Sequence, residues 1–293
     1  MSSLTDVAPV PATRTTDGRA KQRRQQRSGA ALAVLAWIIG LLFIAPILWM
    51  LLTSFHAETD AATNPPSILA PLTVDGYRAF FGTGPWPSLL NSVTASVLST
   101  VLVLLLAIPA AYALSIRPVE KWTDVMFFFL STRMLPAVAG LLPIYLFAQF
   151  VGVLDNIFLL VLLYTSMNLP IAVWMMRSFL VEVPKEILEA ASMDGAGLVR
   201  TLKSVVVPIV SPGIAATALI CFIFSWNELL FARVLTSTAS QTAPVFLTGF
   251  VTSQGLFLAQ VCAAAVVVSL PVLVAGFAAQ DKLVQGLSLG AVK

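Results

Sequence analysis

The sequence predicts an all-α integral membrane protein of six transmembrane helices, and three observations predict it. Of its 293 residues 58% are hydrophobic and 11% charged, with a mean hydropathy of +0.91, whereas soluble domains hold about 45–50% apolar residues. The apolar residues come in long runs, not in the short alternating segments of a membrane β-barrel. Six of those runs reach the roughly 20 residues that an apolar helix needs to cross a bilayer.

Residues 1–28 are polar, carry Arg14, Arg19, Lys21, Arg23, Arg24 and Arg27, and show no apolar periodicity; they read as a mobile tail. The apolar run that follows, about Gly29 to Ser54, is longer than the roughly 7–15 residues of a signal-peptide core and ends without a small-residue cleavage pattern, so it reads as a retained first span. Five further spans run about Ser88 to Ile116, Asp124 to Val151, Ile157 to Leu180, Val205 to Leu230 and Leu258 to Gln280. The membrane domain thus covers residues 29–280, with a second tail over 281–293. Pro46, Pro109, Pro136, Pro143, Pro170, Pro208, Pro212 and Pro271 fall inside the spans and predict kinked or broken helices, because proline removes a ladder hydrogen bond and crowds the preceding turn. Cys221 and Cys262 lie within spans and read as small buried hydrophobes rather than as a disulfide.

Orientation follows from the basic residues. With the N-terminus in the cytoplasm, that side collects the six tail residues, Arg117, Lys121, Arg177, Lys185, Arg200, Lys203, Lys282 and Lys293, and the other side only Arg78 and Arg233. This is the positive-inside distribution. The net charge of +3 is therefore topological and does not point to nucleic acid. Both termini fall on the cytoplasmic side.

The largest outer loop, about Phe55 to Pro87, holds NPPS at Asn64 to Ser67 and a short helix capped by Thr73 ahead of Tyr77 and Phe80. His56 reads as a solvated loop residue. Nothing here is large enough for a receptor domain, so high-affinity ligand capture needs another chain. There is no GxxxxGK[ST] phosphate loop, no nucleophile elbow and no zinc motif. An enzyme is accordingly not expected, nor a metal or cofactor held by this chain.

The stretch Glu182 to Pro212 is the dense polar segment between two late spans, and the topology puts it in the cytoplasm. Val183 and Pro184 make a helix start, since proline at the first turn gives up no needed N–H. Glu182 and Glu186 complement the positive helix end, and Gly195 suits a left-handed stop. The result is a helix of about residues 184–194. Ile187, Ala190, Ala191 and Asp194 recur at spacings of three and four; the small Ala190 and Ala191 admit a close-approaching surface, and Glu189 offers a charged bond that sets register. The segment reads as an element made to be gripped.

Glu189, Ala190, Ala191, then Asp194, Gly195 and Ala196, with Pro208 following, resemble the EAA loop of permease subunits of bacterial ABC importers. PILWMLLTSF at Pro46 to Phe55, LNSV at Leu90 to Val93, FSWNELLFA at Phe224 to Ala232 and the tail GLSLGAVK at Gly286 to Lys293 resemble the carbohydrate-uptake, maltose-type second permease. STRMLPAVAGLLPIY and YTSMNLPIAVW further resemble the sorbitol and mannitol polyol subgroup. The resemblance covers nearly everything after residue 28. It departs from the family pattern at Leu202 and Val205 to Val207, where an aromatic residue is common.

The resemblance implies the type I ABC importer permease fold in a bacterial inner membrane. It also implies a second homologous permease subunit, a dimeric cytoplasmic ATPase that holds ATP and Mg2+, and an extracytoplasmic solute-binding protein. Glu189, Ala190, Ala191, Asp194 and Gly195 then carry the coupling to that ATPase. The substrate pathway is expected among Asn91, Arg133, Asn168, Trp226, Asn227 and Glu228, which supply hydrogen-bonding groups beside aromatic surface. Each also has a plainer reading. Arg133 pairs with a carboxylate or backbone carbonyls, Trp226 is an interfacial aromatic with Asn227 and Glu228 at a helix end, and Asn91 and Asn168 join helices. An ion-gradient-driven secondary transporter is the alternative function, but it normally uses intramembrane acids as relays, and only Glu228 qualifies.

Overall fold

The structure, a computed structural model, describes residues 16–63, 69–116, 119–252 and 255–291. NPPS at Asn64 to Ser67 lies outside the described residues, as do Arg117, Lys293 and the tail up to residue 15.

The first helix, α1 (Thr16–Thr53), forms a unit apart from the rest of the chain. Its apolar part from Leu32 to Thr53 is long enough to span a membrane and contains Pro46. The helix begins at Thr16 and not at Gly29, so residues 16–28 of the expected mobile tail are helical; their Arg, Lys, Gln and Ala residues are good helix formers.

The second unit begins with two short helices, α2 (Glu58–Ala61) and α3 (Asp75–Gly82). Thr73 stands one residue before the N-cap Val74, and its Oγ1 accepts from Asp75 N at 3.5 Å. This segment folds back on itself: Thr73 N donates to the Phe55 carbonyl at 2.6 Å, and the Ser54 and Tyr77 hydroxyls meet at 2.8 Å. Within it His56 is 2% exposed, against the expectation of a solvated loop residue.

The long helices follow as α4 (Trp86–Ser115), α5 (Trp122–Met134), α6 (Ala137–Val151) and α7 (Ile157–Val181), then the short α8 (Lys185–Met193). After α8 come α9 (Leu198–Thr201), a π-helical turn at Leu202–Val206, α10 (Val207–Ile209), α11 (Ser211–Trp226) and α12 (Leu230–Leu235). The chain closes through α13 (Ala243–Leu247), a two-residue hairpin of β1 (Val251–Thr252) with β2 (Gly255–Leu256), and α14 (Leu258–Ala291). Helix α14 runs through the expected second tail up to Ala291.

Four helices, in α1, α4, α7 and α14, are long and apolar enough to cross a membrane among the described residues. The other two expected spans are broken. Helices α5 and α6 meet at 83°, and the α9–α10 stretch meets α11 at 81°. The breaks fall at Pro136 and ahead of Pro212, where proline cannot continue the ladder. The geometry makes the first bent pair, α5 with α6, one crossing. Helices α4 and α7 run in the same direction, because Arg177 Nε reaches the Leu114 carbonyl at 3.2 Å at their C-terminal ends. At their N-terminal ends Asn91 and Asp155 both hold the 236–241 loop. The chain between two such neighbours must traverse the bundle.

The core nearest α8 joins α4, α7 and α11 through Val103, Ala107, Ala111, Met176, Leu180 and Cys221. A second cluster nearer the 236–241 loop contains Ala95, Leu160, Tyr164, Phe231 and Leu235. Both cysteines are free and buried.

Candidate functional site

Helix α8 occupies nearly the expected range. Pro184 takes the N-cap position with φ −59° and ψ 133°, and Glu186 lies in the first turn. At the other end Gly195 has φ +72°, a conformation that costs a side chain with a Cβ roughly 1–2 kcal/mol. Ala196 N donates to the Ala191 carbonyl and Gly195 N to that of Ser192, both at 3.0 Å, which closes the last turn and ends the helix.

The helix has an anchored face and a free one. Leu188 packs on the core that includes Leu180, Val183 and Val206, and Ala191, three residues on, is buried at 9% exposure. Glu186, Ile187, Glu189, Ala190, Met193 and Asp194 are exposed. Of the two residues expected to admit a close-approaching surface, Ala190 is exposed and Ala191 is buried. Consecutive residues diverge by about 100° on a helix, and Ala191 shares the stripe of Leu188. Beside α8 lies a cleft of about 360 Å³ lined by Tyr112, Ser115, Leu180, Lys185, Glu189 and Ser192.

Downstream of α8 the backbone is irregular. The π-helical turn covers Leu202 to Val206, the stretch where the sequence lacks the aromatic residue, and it precedes the 81° bend into α11. Leu202 and Val206 both pack in the same core as Leu188. The side chains on which α8 rests thus belong to the core shared by α4, α7 and α11.

Arg133 lies at the α5–α6 elbow, where a cleft of about 800 Å³ is lined by Phe128, Phe129, Thr132, Ser166 and Phe231 among others. Its Nη1 donates to the Met167 carbonyl at 2.8 Å, and its guanidinium carbon stands 5.7 Å from the centre of the Phe224 ring. The other expected pathway residues do not converge there. Asn91 Nδ2 donates to the carbonyls of Ala239 and Gln241 at 2.9 and 3.1 Å, which pins the loop to α4. Asn168 is 1% exposed and donates to Ser225 Oγ at 3.0 Å.

Trp226 is a core residue at 2% exposure rather than an interfacial one; it stacks on Phe222 at 5.7 Å and donates to the Val268 carbonyl at 3.2 Å. Asn227 is exposed and bonds the Ile223 carbonyl of its own helix at 2.9 Å. Glu228 caps α12, accepting from Phe231 N and Ala232 N at 2.9 and 3.2 Å. These three were adjacent in sequence, but the helix ends at Trp226 and sends them in different directions.

Asp155 escaped the sequence reading. It sits in the turn before α7 with φ +53°, and its carboxylate accepts from the N–H groups of Ser237, Ala239 and Ser240 at 2.8–3.0 Å. Partial burial opposes ionisation, but the three backbone donors outweigh it and hold the carboxyl below its ordinary value. Glu58 is a similar case, accepting from Ala259 N and Gln260 N at the start of α14 at 3.3 and 3.4 Å. An isolated acid between two spans was the only signal either gave.

A bundle of parallel and broken apolar helices with an exposed, capped helix rooted in its core is the architecture of a membrane transport subunit. The chain belongs to the family described as binding-protein-dependent transport system inner membrane component, whose model matches residues 103–288. It is 37% identical over 257 residues to the protein named probable ABC transporter permease protein y4oR of Sinorhizobium fredii, covering 87% of this chain and 92% of that one. It is 32% identical to the trehalose transport system permease protein SugB of Mycobacterium tuberculosis, covering 85% and 92% of the two chains. In fold it matches the crystal structure of a bacterial ABC transporter involved in the import of the acidic polysaccharide alginate, with a TM-score of 0.74 at 24% identity over 89% of this chain and 98% of that one. The chain is therefore the non-catalytic, multi-pass permease component of an ABC transporter and not an ion-gradient-driven secondary transporter.

Proposed function

We propose that this chain forms half of the translocation pathway for a sugar or polyol, and that a separate dimeric ATPase drives it by gripping α8. The observation that carries the reading is the two-sidedness of α8: Leu188 and Ala191 seat it in the core, while Glu189, Ala190 and Asp194 face outward. In this reading a second homologous permease completes the pathway, an extracytoplasmic binding protein delivers the cargo, and ATP with Mg2+ belongs to the ATPase. The trehalose-named relative supports a carbohydrate substrate, and the excess of Lys and Arg on the α8 side supports a cytoplasmic location for α8 and both termini.

The chain's own part is mechanical. Closure of the ATPase dimer around ATP draws α8 inward; Leu188, Leu202 and Val206 carry the movement into α4, α7 and α11. The 83° and 81° breaks are where the bundle changes shape, since broken helices pivot at a few backbone positions rather than bending throughout. Reopening after hydrolysis resets the inward-facing state. Glu189→Lys tests this in the assembled importer: the complex should form and bind ATP, but substrate-stimulated ATP hydrolysis should fall to the unstimulated rate. Full stimulation in that variant would remove Glu189 from the coupling surface.

A further inference from the structure

Arg133 is a cation within an expected span and has no counter-ion among the described residues. The sole ion pair among the described residues joins Arg78 and Asp75 at 3.3 Å. Glu228, the acid at the end of the fifth expected span, has both oxygens engaged by the N–H groups of α12. A guanidinium carries five donors, and here one of them reaches a protein acceptor, the Met167 carbonyl. A charge so placed does not face hydrocarbon, and it is stable only against water, a partner group or a passing anion. Around it Phe128 and Phe129 supply aromatic surface, and Thr132 and Ser166 bring hydroxyl groups to the same cleft. The hydroxyls of Thr132 and Ser166 donate to the carbonyls of Phe129 and Leu163, so their oxygens keep lone pairs for further donors.

We propose that the α5–α6 elbow is a specificity subsite for a carboxylated saccharide, a uronate unit whose carboxylate takes the Arg133 guanidinium. The inference rests on the transport function proposed above and deepens it. A planar carboxylate matches the guanidinium fork with two parallel bonds, which a neutral sugar hydroxyl does not. The phenyl rings pack against the C–H face of the pyranose ring, and the hydroxyls of Thr132 and Ser166 accept from sugar hydroxyls. Met167 O holds one end of the fork in place while the remaining donors stay available. A cargo that must leave again is served by one charge-assisted contact in a cleft of about 800 Å³.

The test is ATP-driven uptake into proteoliposomes that hold the complete importer with its own binding protein, using paired saccharides that differ only in a uronate against a hydroxymethyl group. The wild type should favour the uronate. R133Q should lower the ratio of uronate to neutral uptake on the order of tenfold, the loss of a charge-assisted bond, and R133K should recover part of that ratio because charge is kept without the fork. A wild type that moved only the neutral member under ATP would overturn the subsite and leave the transport function standing. Equal loss of both members in R133Q, or failure of R133Q to assemble with the second permease, would assign Arg133 to structure and overturn the subsite. A wild type that moved neither class under ATP would overturn both readings.

Discussion

Asn168 of α7 donates to Ser225 Oγ of α11 at 3.0 Å, and that same oxygen lies 3.1 Å from Ser99 Oγ of α4. Three helices that separate in sequence by scores of residues therefore share one buried hydroxyl. In apolar surroundings such a node sets helix register: slipping α11 by a turn breaks both bonds to Ser225 and leaves the Asn168 amide only the Tyr164 carbonyl of its own helix. Ser225→Ala should destabilise the purified protein by roughly 0.5–1.5 kcal/mol, the usual worth of an interhelical bond in a membrane protein. Thermal unfolding in detergent measures this, and no loss would show that α11 is placed by apolar packing alone.

Asp155 predicts an acid-sensitive loop. Its folded carboxyl is held below the ordinary value of about 3.9 by three backbone donors. A group with a depressed folded pKa contributes stability above its unfolded value and loses that contribution as the pH falls through the folded one. The lock is therefore complete at neutral pH, begins to weaken below about pH 4 and is lost as the pH falls through the lower folded value. Asp155→Asn, which tolerates the φ of +53°, should be weaker at neutral pH and lack the acid-dependent loss. Protease cleavage within residues 236–241 as a function of pH reports it; identical pH profiles for the two proteins would rule Asp155 out.

Gly213 sets how closely α11 approaches α7 just after the 81° bend. A Cβ there would collide with Phe179 Cγ, at the base of a ring that packs against the core. Gly213→Ala should cost about 1–3 kcal/mol by overpacking, and Phe179→Leu in the same chain should return part of it. The two single variants and the double variant, compared by detergent unfolding, decide the matter: strictly additive losses would mean that the two sites do not touch.

The sequence by itself determined the class of this protein, the positions of its spans to within a few residues, and the short helix between Pro184 and Gly195. Those features follow from local rules, namely the length of apolar runs, proline and glycine at helix ends, and the sorting of basic residues between two aqueous sides. Only the tertiary structure decided which helices stand side by side and what each polar residue does there. Asn91 became a loop anchor, Glu228 a helix cap and Trp226 a core residue, because each is defined by a carbonyl, an N–H or a ring from a different part of its fold. Ala191 turned inward for the same reason, since the face of α8 that is buried depends on Leu188 packing against the core that holds Leu180, Val183 and Val206. Periodicity states which residues share a stripe, and packing alone states which stripe is covered.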